Sequence, residues 1–484
     1  MITIKQSLLL AAALPLAFAG CTTTNPDAAF DQLGETIASR TGQRVQWLGQ
    51  DGETEHVRAM VESALQTNLT AQSAAAIALL NNRALQAQFE ELGISQAELA
   101  QASRLRNPTF TGFARFPIGA TGAANLEGEL AQDFLDLLTL PVRKRIAARN
   151  LEQTRLRIAH TVLETAAEAK MAFYTVQARQ QLLKRLEAIM EVNEAGVDLS
   201  TRQHKAGNIS DLELANQAAA FQQAKLEWRR TGGQLRVDRE RLNRVLGLWG
   251  RQTDWQISDE LPALPENEIP LTSLEAQAVS QRFDLAAARN QAQTVLAALK
   301  LKKSVRFVPA VTVGVNAERD VDRSWVVGPT LALEVPLFDQ GQPALARLAA
   351  QYRQAKWQTE ALATHIRSEV RQARDSMIAA RDLTEFYTKV YLPQRIRIVN
   401  ETLLQYNAMQ KGTLELITAK ERELVAEREY TEAWRDYWIA RAELERAIGG
   451  KLDALTLSPS LPRRSQTKAG DGHDKHEHNN KETP

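Results

Sequence analysis

The chain has 484 residues, of which 59 are basic, 58 are acidic and 44% are hydrophobic. Because the charges nearly balance, the chain has no large net positive charge that would attract nucleic acid. No basic patch is interleaved with aromatic residues either. By length the chain could hold two or three domains, but its pattern favours an elongated molecule with little compact core.

Residues 1–20 predict a secretory signal peptide. Lys5 precedes the apolar run Leu8–Phe18, and small residues follow directly before Cys21. The run is too short for a membrane-spanning helix. The Phe-Ala-Gly-Cys tetrapeptide resembles a bacterial lipobox, with Phe18 where leucine is usual. We therefore expect a lipid on Cys21, the only cysteine, which would hold the chain on a bilayer; ordinary cleavage beside an incidental cysteine is the alternative.

After an N-terminal segment at 21–70, one unit occurs twice, at 71–258 and 272–450. Each unit contains a helical run, strand-like segments, a very long helical stretch and a closing glycine. Matching landmarks lie about 200 residues apart: Leu85 and Leu285, Pro108 and Pro309, Pro141 and Pro343, Gly207 and Gly412, and Gly247 and Gly449. The linker 259–271 contains prolines among acidic residues, which is typical of an irregular connector. The sequence therefore predicts a duplication.

Each long stretch is helical by its period, and we expect Pro141 and Pro343 to open the two stretches. Apolar or small residues recur at steps of three and four, as in a coiled coil. The recurring positions are Ile158, Val162, Ala166, Ala169, Phe173, Val176, Leu183 and Met190 in the first unit and Leu362, Ile366, Val370, Ala373, Met377, Ala380, Tyr387 and Tyr391 in the second. We expect arms of about 55–60 uninterrupted residues, which would extend roughly 80–90 Å.

Each unit also contains two strand-like segments, the first of which are Thr109–Phe116 and Ala310–Ala317. Apolar side chains alternate there with polar or small ones, at Leu126, Leu130, Val311, Val313, Val315, Leu331, Leu333 and Val335. Phe110, Phe113 and Phe116 follow this period less cleanly. One apolar and one polar face are typical of a membrane barrel strand, although a hairpin on a soluble core is the alternative for any single segment. Four strands cannot close a barrel, and lipid tolerates no open edge, so three chains with twelve strands are expected.

The order of these elements resembles the TolC-like outer-membrane efflux channel family over roughly residues 70–450. The segments that carry the resemblance are Asn107-Pro108, Gly328-Pro329, Val335–Gly341, Lys205–Ser210 with Leu212–Leu214, and Lys411–Thr413 with Leu416-Ile417. The first unit departs from the family pattern at Asp136–Pro141, where leucines replace the expected Asp-x-Gly turn.

The resemblance implies a mainly α-helical fold with membrane β-structure. Four strands per chain would contribute to a trimeric 12-stranded outer-membrane β-barrel, continued by a long periplasmic α-helical coiled-coil barrel. The homotrimer would be lipid-anchored in the outer membrane of a Gram-negative bacterium. Substrates would arrive from an inner-membrane pump, of RND type, through a periplasmic adaptor. The family has no catalytic step, and the residues suggest no enzyme site, no cofactor beyond the lipid on Cys21 and no nucleic-acid partner.

The resemblance places the adaptor contact at two helix-to-helix turns at the periplasmic tip. The residues that match are Ala206, Gly207, Asn208, Lys411, Gly412 and Thr413. A glycine permits a tight reversal and the close approach of a partner helix, while a plain helix end without a partner is the alternative. In the family, polar contacts near these turns close the idle channel. Arg202, Asp211 and Glu415 are the candidates here, although charges on a helix also occur simply as a solvated face.

The composition of residues 451–484 favours a polar, disordered tail. Its histidines, His473, His476 and His478, lie beside carboxylates and suit zinc, nickel or copper(II), although a tail with incidental histidines is the alternative. A metal-binding tail would fit heavy-metal ions as cargo, and drugs are the other cargo expected.

A different class of protein remains open, namely a lipid-anchored periplasmic coiled-coil scaffold or adaptor without a pore. That class would keep the long helices but would lack the paired amphipathic strands.

Overall fold

The computed structural model describes residues 27–48, 51–116, 118, 123–266, 272–308 and 310–452. The predicted signal peptide, Cys21, the end of the linker and the tail histidines His473, His476 and His478 lie outside these residues. The described elements are α1 Asp27–Thr41, α2 Asp51–Leu65, α3 Ala71–Asn81, α4 Arg83–Ala102, β1 Thr109–Arg115, β2 Asn125–Asp133, α5 Phe134–Lys205, α6 Asp211–Leu246, a 3₁₀ turn Gly250–Thr253, α7 Leu274–Gln281, α8 Phe283–Ser304, β3 Val311–Arg319, β4 Trp325–Leu333, α9 Gln342–Phe386, a π-helical turn Tyr387–Tyr391, α10 Leu392–Asn407 and α11 Thr413–Ile448.

The elements follow the same order in the two units. In each unit a helix leads into two strands, then into a long helical stretch and a final helix of 36 residues. The long stretch of the second unit continues from α9 through the π-helical turn into α10. Among the described residues, no helix combines the length and the apolar composition needed to cross a membrane.

The first long helix is longer than expected. α5 contains 72 residues, which corresponds to about 108 Å at the α-helical rise. The prediction that Pro141 opens this helix is wrong, because the helix begins at Phe134 and Pro141 lies inside it. Asp133 caps the start, since its Oδ1 accepts a hydrogen bond from the Leu135 N–H at 3.0 Å. Pro343, in contrast, lies in the first turn of α9 as predicted, where a missing N–H costs nothing.

A buried aspartate fixes this earlier start. Asp136 is 2% exposed, and its carboxylate accepts a hydrogen bond from the Arg106 backbone N–H at 2.9 Å. Oδ1 of Asp136 also lies 3.2 Å from Nε of Arg106 and 3.1 Å from Nη2 of Arg143. These contacts tie the first turn of α5 to the segment that precedes β1.

The four strands form one antiparallel sheet in the order β1-β2-β3-β4. The central pair joins the two units, because β2 comes from the first and β3 from the second. Both outer edges, on β1 and β4, have no partner strand among the described residues.

The helical core lies along α5 and the elements that pack on it. The predicted seam positions Ile158, Val162, Ala169, Phe173 and Val176 are all at most 2% exposed. In the second unit the corresponding seam residues pack with the end of α11 and with α7: Ile366, Val370, Ala373, Met377, Tyr437, Leu444 and Ile448. Many of the buried residues are alanines, which permit close helix approach. The coiled-coil spacing is thus confirmed as a packing seam.

Candidate functional site

One face of the sheet is apolar and exposed. The register aligns Phe110, Leu130, Val315 and Pro329 across the four strands. Phe110 is 74% exposed, and Leu331 on the same face is 73% exposed. Contiguous exposed apolar surface marks a site of contact with a partner or a membrane. The predicted alternation is therefore confirmed.

The opposite face is polar, and its side chains bond across the strands. Thr330 Oγ1 donates to Glu129 Oε1 at 2.7 Å, and Asn316 Nδ2 donates to Glu127 Oε1 at 2.8 Å. Val326, opposite Glu318, is apolar on this face, and so is Phe113, which lies opposite Glu127 in the register. This position explains why the phenylalanines of β1 fit the period of two poorly.

The turn between α5 and α6 closes on a left-handed glycine. Gly207 has a φ of +76°, and nothing lies within 4 Å of the place where a Cβ would stand. The Gly207 N–H donates to the His204 carbonyl at 2.9 Å, and the Asn208 N–H donates to the Gln203 carbonyl at 2.9 Å. This is the Schellman pattern of a helix end, and Ala206 is the C-cap.

Three residues further on, Ser210 caps the returning helix. Its Oγ accepts from the Glu213 N–H at 3.2 Å, while the Ser210 N–H donates to Glu213 Oε2 at 2.8 Å. This reciprocal pair is a capping box. Hydrogen bonds from the Ser210 N–H and hydroxyl hold the pKa of Glu213 below its ordinary value.

The turn between α10 and α11 has the same hydrogen-bond pattern but different residues. The left-handed position belongs to Met409, with a φ of 58° and 95% exposure. The Met409 N–H donates to the Tyr406 carbonyl at 2.9 Å, and the Gln410 N–H donates to the Gln405 carbonyl at 2.9 Å. Gly412 is the N-cap of α11, with φ −82° and ψ 164°.

Gly207 and Gly412 therefore occupy different positions in their turns. The counterpart of Gly207 is Met409, and the counterpart of Gly412 is Ser210. The expectation of a glycine-dependent reversal is met at Gly207. At Gly412 it is wrong, because that backbone lies in the extended region that any residue adopts. Thr413 is the first residue of α11.

The three candidate gating residues lie at these turns. Asp211 Oδ1 lies 2.7 Å from His204 Nε2, so Asp211 contacts a histidine across its own turn. Arg202 is exposed and has no ion pair among the described residues. Glu415 accepts a hydrogen bond from the Gly412 N–H, and its Oε1 lies 3.6 Å from Lys411 Nζ. Asp211 and Glu415 thus have partners within their own turns, and Arg202 has none.

Among the described residues, no group of three or more His, Cys, Asp or Glu side chains could hold a metal ion. The predicted ligands His473, His476 and His478 lie outside those residues.

Sequence reasoning missed Met409 and Asp136. Nothing local in the sequence marks a methionine for a left-handed backbone, which is uncommon for a residue with a side chain. Asp136 carried a usable signal, since it is the one charged residue between Phe134 and Pro141, and a lone charge in an apolar run favours a buried pair.

Comparison with solved structures identifies the class of fold. The outer membrane channel CmeC of Campylobacter jejuni is similar with a TM-score of 0.67 at 15% identity, over 78% of this chain and 85% of that one. CusC, described in crystal structures of transmembrane channel formation, is similar with a TM-score of 0.65 at 15% identity, over 79% of this chain and 93% of that one. A membrane protein from Pseudomonas aeruginosa is similar with a TM-score of 0.65 at 17% identity, over 84% of this chain and 95% of that one.

These likenesses establish that the chain has the fold of TolC-like outer-membrane efflux channels. No protein-family model matches the sequence, and no curated protein matches it either.

Proposed function

We propose that this protein is the outer-membrane channel-tunnel of a tripartite efflux pump and works as a homotrimer. The sheet is the observation that carries the proposal. It has an exposed apolar face, a polar face and two edges that lack a partner strand within the described part of the chain. Three sheets joined edge to edge would give twelve strands, with apolar side chains toward lipid and Glu127, Glu129 and Asn316 toward a lumen. Such closure removes the open edges that lipid does not tolerate.

The helices support the periplasmic part of the proposal. α5 extends about 108 Å from the sheet at the α-helical rise, which is long enough to carry a lumen well beyond a membrane. Its far end is the Gly207 turn, and the Met409 turn is the equivalent end of the second unit. We assign these turns to the contact with a periplasmic adaptor, which would link the channel to an inner-membrane pump of RND type. A lipid on Cys21 would anchor each chain in the outer membrane.

The pore is tested with a matched pair of variants in the same strand. Leu331→Lys places a charge on the apolar face, whereas Ala332→Lys places it on the polar face one residue later. A charge on a lipid-facing strand costs about 2–4 kcal/mol near the bilayer midplane. We expect wild type and Ala332→Lys to purify from detergent as trimers that conduct in planar bilayers. Leu331→Lys should reduce insertion strongly. A monomer without conductance would instead support the lipid-anchored scaffold.

The adaptor contact is tested at the tip. Gly207→Trp and Met409→Trp place bulk at equivalent positions of the two turns, and Gly412→Trp places it at the cap. We expect trimers to remain intact while efflux and adaptor crosslinking are lost. Unchanged crosslinking and unchanged resistance would show that the turns are plain helix ends.

Cargo is tested by deletion of the gene and survival on copper, zinc and hydrophobic drugs. Heavy-metal ions are the cargo that the tail histidines favour, and drugs are the other. Removal of His473, His476 and His478 should lower metal tolerance only. Equal tolerance would assign no metal role to the tail.

A further inference from the structure

A cavity of about 120 Å³ lies where the N-terminal segment meets both units. Its walls come from the end of α1, from α3, from α5 and from the end of α11, and they include Arg40, Gln72, Lys170, Arg446 and Lys451. About 10–15 Å³ is enough for one water molecule, so the cavity holds several. It is therefore large enough for a small polyatomic ion.

The walls carry more positive than negative charge, and two of the cations are neutralised locally. Lys170 Nζ lies 2.6 Å from Glu445 Oε2. Arg446 forms ion pairs with Glu443 and Glu369. These carboxylates, Glu443 first, raise the pKa of Arg446 above its ordinary value despite its burial.

The other two cations lack such partners. The only hydrogen bond of the Arg40 side chain within the described residues is the one from Nη1 to Gln281 Oε1 at 2.7 Å, and its guanidinium lies 5.7 Å from the centroid of the Phe283 ring. Burial lowers the pKa of Arg40, and no carboxylate of the described residues opposes that effect. Lys451 has no carboxylate partner among the described residues either.

The backbone brings Arg40 and Lys451 together at this wall of the cavity. The Lys451 N–H donates to the Arg40 carbonyl at 3.3 Å. Gly42 has a φ of +66°, and Lys451 Nζ lies 2.7 Å from the place where a Cβ of residue 42 would stand. The missing side chain at Gly42 thus leaves room for the ammonium group above the chain that carries Arg40.

We propose that this cavity binds a small oxyanion of the phosphate class between Arg40 and Lys451. Two partly desolvated cations without a counter-charge are unfavourable, and an oxyanion would offset that cost through charge-assisted hydrogen bonds. The Gln72 side-chain amide adds a neutral donor at the wall. The ion would join the N-terminal segment to the end of the second unit.

The same chemistry has a second source within the chain. The next acidic residue in the sequence after Lys451 is Asp453, and its carboxylate could occupy the cavity instead of a free ion. The two sources differ in one respect, because only a free ion exchanges with the buffer.

The test is equilibrium dialysis of the full chain in detergent against radiolabelled inorganic phosphate, with chloride at matched ionic strength. We expect about one phosphate per chain and a saturable rise in Tm, because a ligand that binds only the native state stabilises it. Arg40→Gln and Lys451→Gln should each weaken phosphate binding by about tenfold or more. Arg40→Lys keeps the charge and should retain most of the affinity.

The control is Lys184→Gln, which removes a cation from the exposed pair with Asp259 and should bind phosphate as wild type does. Equal binding by all the variants would mean an adventitious ion only and would overturn the proposal. Absence of phosphate binding in wild type would also overturn it. If Asp453→Asn then gained phosphate binding, the occupant would be the carboxylate of the chain itself.

Discussion

The two units hold the end of their last helix in different ways. In the first unit Asn81 Nδ2 donates to the Leu246 and Gly247 carbonyls at 3.1 and 2.8 Å. Asn82 Nδ2 donates to the Val245 carbonyl at 2.9 Å. We call such a contact, between the start of a unit and the end of its last helix, a joint. All the groups in this first joint are neutral. The helix ends that they hold have the same form in both units, because Gly247 and Gly449 are each a left-handed C-cap.

The second unit uses ions at the equivalent place. Arg282 is 5% exposed, and its Nη1 donates to the Ala447 carbonyl at 3.3 Å. The same guanidinium forms ion pairs with Asp284 and Glu369, and Glu369 also contacts Arg446. A buried cation is stable only with such partners. One backbone geometry is therefore supported by two chemistries, and only the second depends on ionisation.

The largest expected effect is the loss of Arg282. Arg282→Met removes the buried cation and leaves Asp284 and Glu369 short of a partner, so we expect destabilisation of about 3–5 kcal/mol. The control is Arg371→Gln in the same unit, which breaks an exposed pair with Glu275 and should cost at most about 1 kcal/mol. Denaturant unfolding in detergent measures both, and equal losses would contradict an ionic joint in the second unit.

The two C-cap glycines should respond differently to alanine. A Cβ on Gly247 would lie 2.5 Å from the Asn81 backbone oxygen, whereas one on Gly449 would lie 3.3 Å from the flexible Arg282 Cγ. Both variants bear the left-handed cost of about 1–2 kcal/mol. Gly247→Ala adds a backbone clash, for a total of about 3 kcal/mol or more. If Gly449→Ala proved the more damaging in thermal unfolding, the Asn81 backbone would have to move away from residue 247 at little cost, which would contradict this prediction.

Acid should weaken the second joint and leave the first unaffected. Burial opposes the ionisation of Glu369, but Arg282 and Arg446 more than offset it, so its pKa lies below the ordinary value of 4.5. Burial also opposes the ionisation of Asp284, but Arg282 more than offsets it, so the pKa of Asp284 lies below its ordinary value of 3.8. A depressed carboxylate contributes stability above its unfolded pKa and loses it as the pH falls through the folded value.

The measurement is Tm between pH 7 and pH 3. We expect wild type to lose stability below about pH 4.5, the ordinary pKa of glutamate. Glu369→Gln should start less stable at pH 7 and show a shallower fall. Asn82→Ala also starts less stable but should keep the wild-type slope, because it removes no ionisable group. Parallel curves for Glu369→Gln and wild type would contradict the assignment.

The coiled-coil seams and the strand alternation could be predicted because each depends on a local period. The seam positions Ile158, Val162 and Val176 follow the helical period and are buried. Val313 and Leu331 follow the strand period and share a face. The joints could not be predicted in this way. Asn81 and Arg282 act on carbonyls about 165 residues further along the chain, and no local pattern reports such a contact.

The candidate site shows the same limit within a few residues. The sequence aligned Gly207 with Gly412 because both are glycines in a turn, whereas the hydrogen bonds align Gly207 with Met409. The left-handed residue is set by where the preceding helix ends. Two turns of the same form can therefore have their glycine at the left-handed position, as at Gly207, or at the N-cap of the next helix, as at Gly412.

The smallest expected effects test this alignment. Met409→Gly relieves a left-handed backbone and should stabilise the turn by about 1 kcal/mol. Gly412→Ser restores the cap that Ser210 provides in the first unit and should add a few tenths of a kcal/mol. Gly207→Ala should destabilise by about 1 kcal/mol, although its Cβ would meet no atom within 4 Å. Hydrogen exchange of the amides around each turn measures all three. If Gly412→Ser proved as damaging as Gly207→Ala, the two glycines would be equivalent after all, because a serine at a cap meets no left-handed strain.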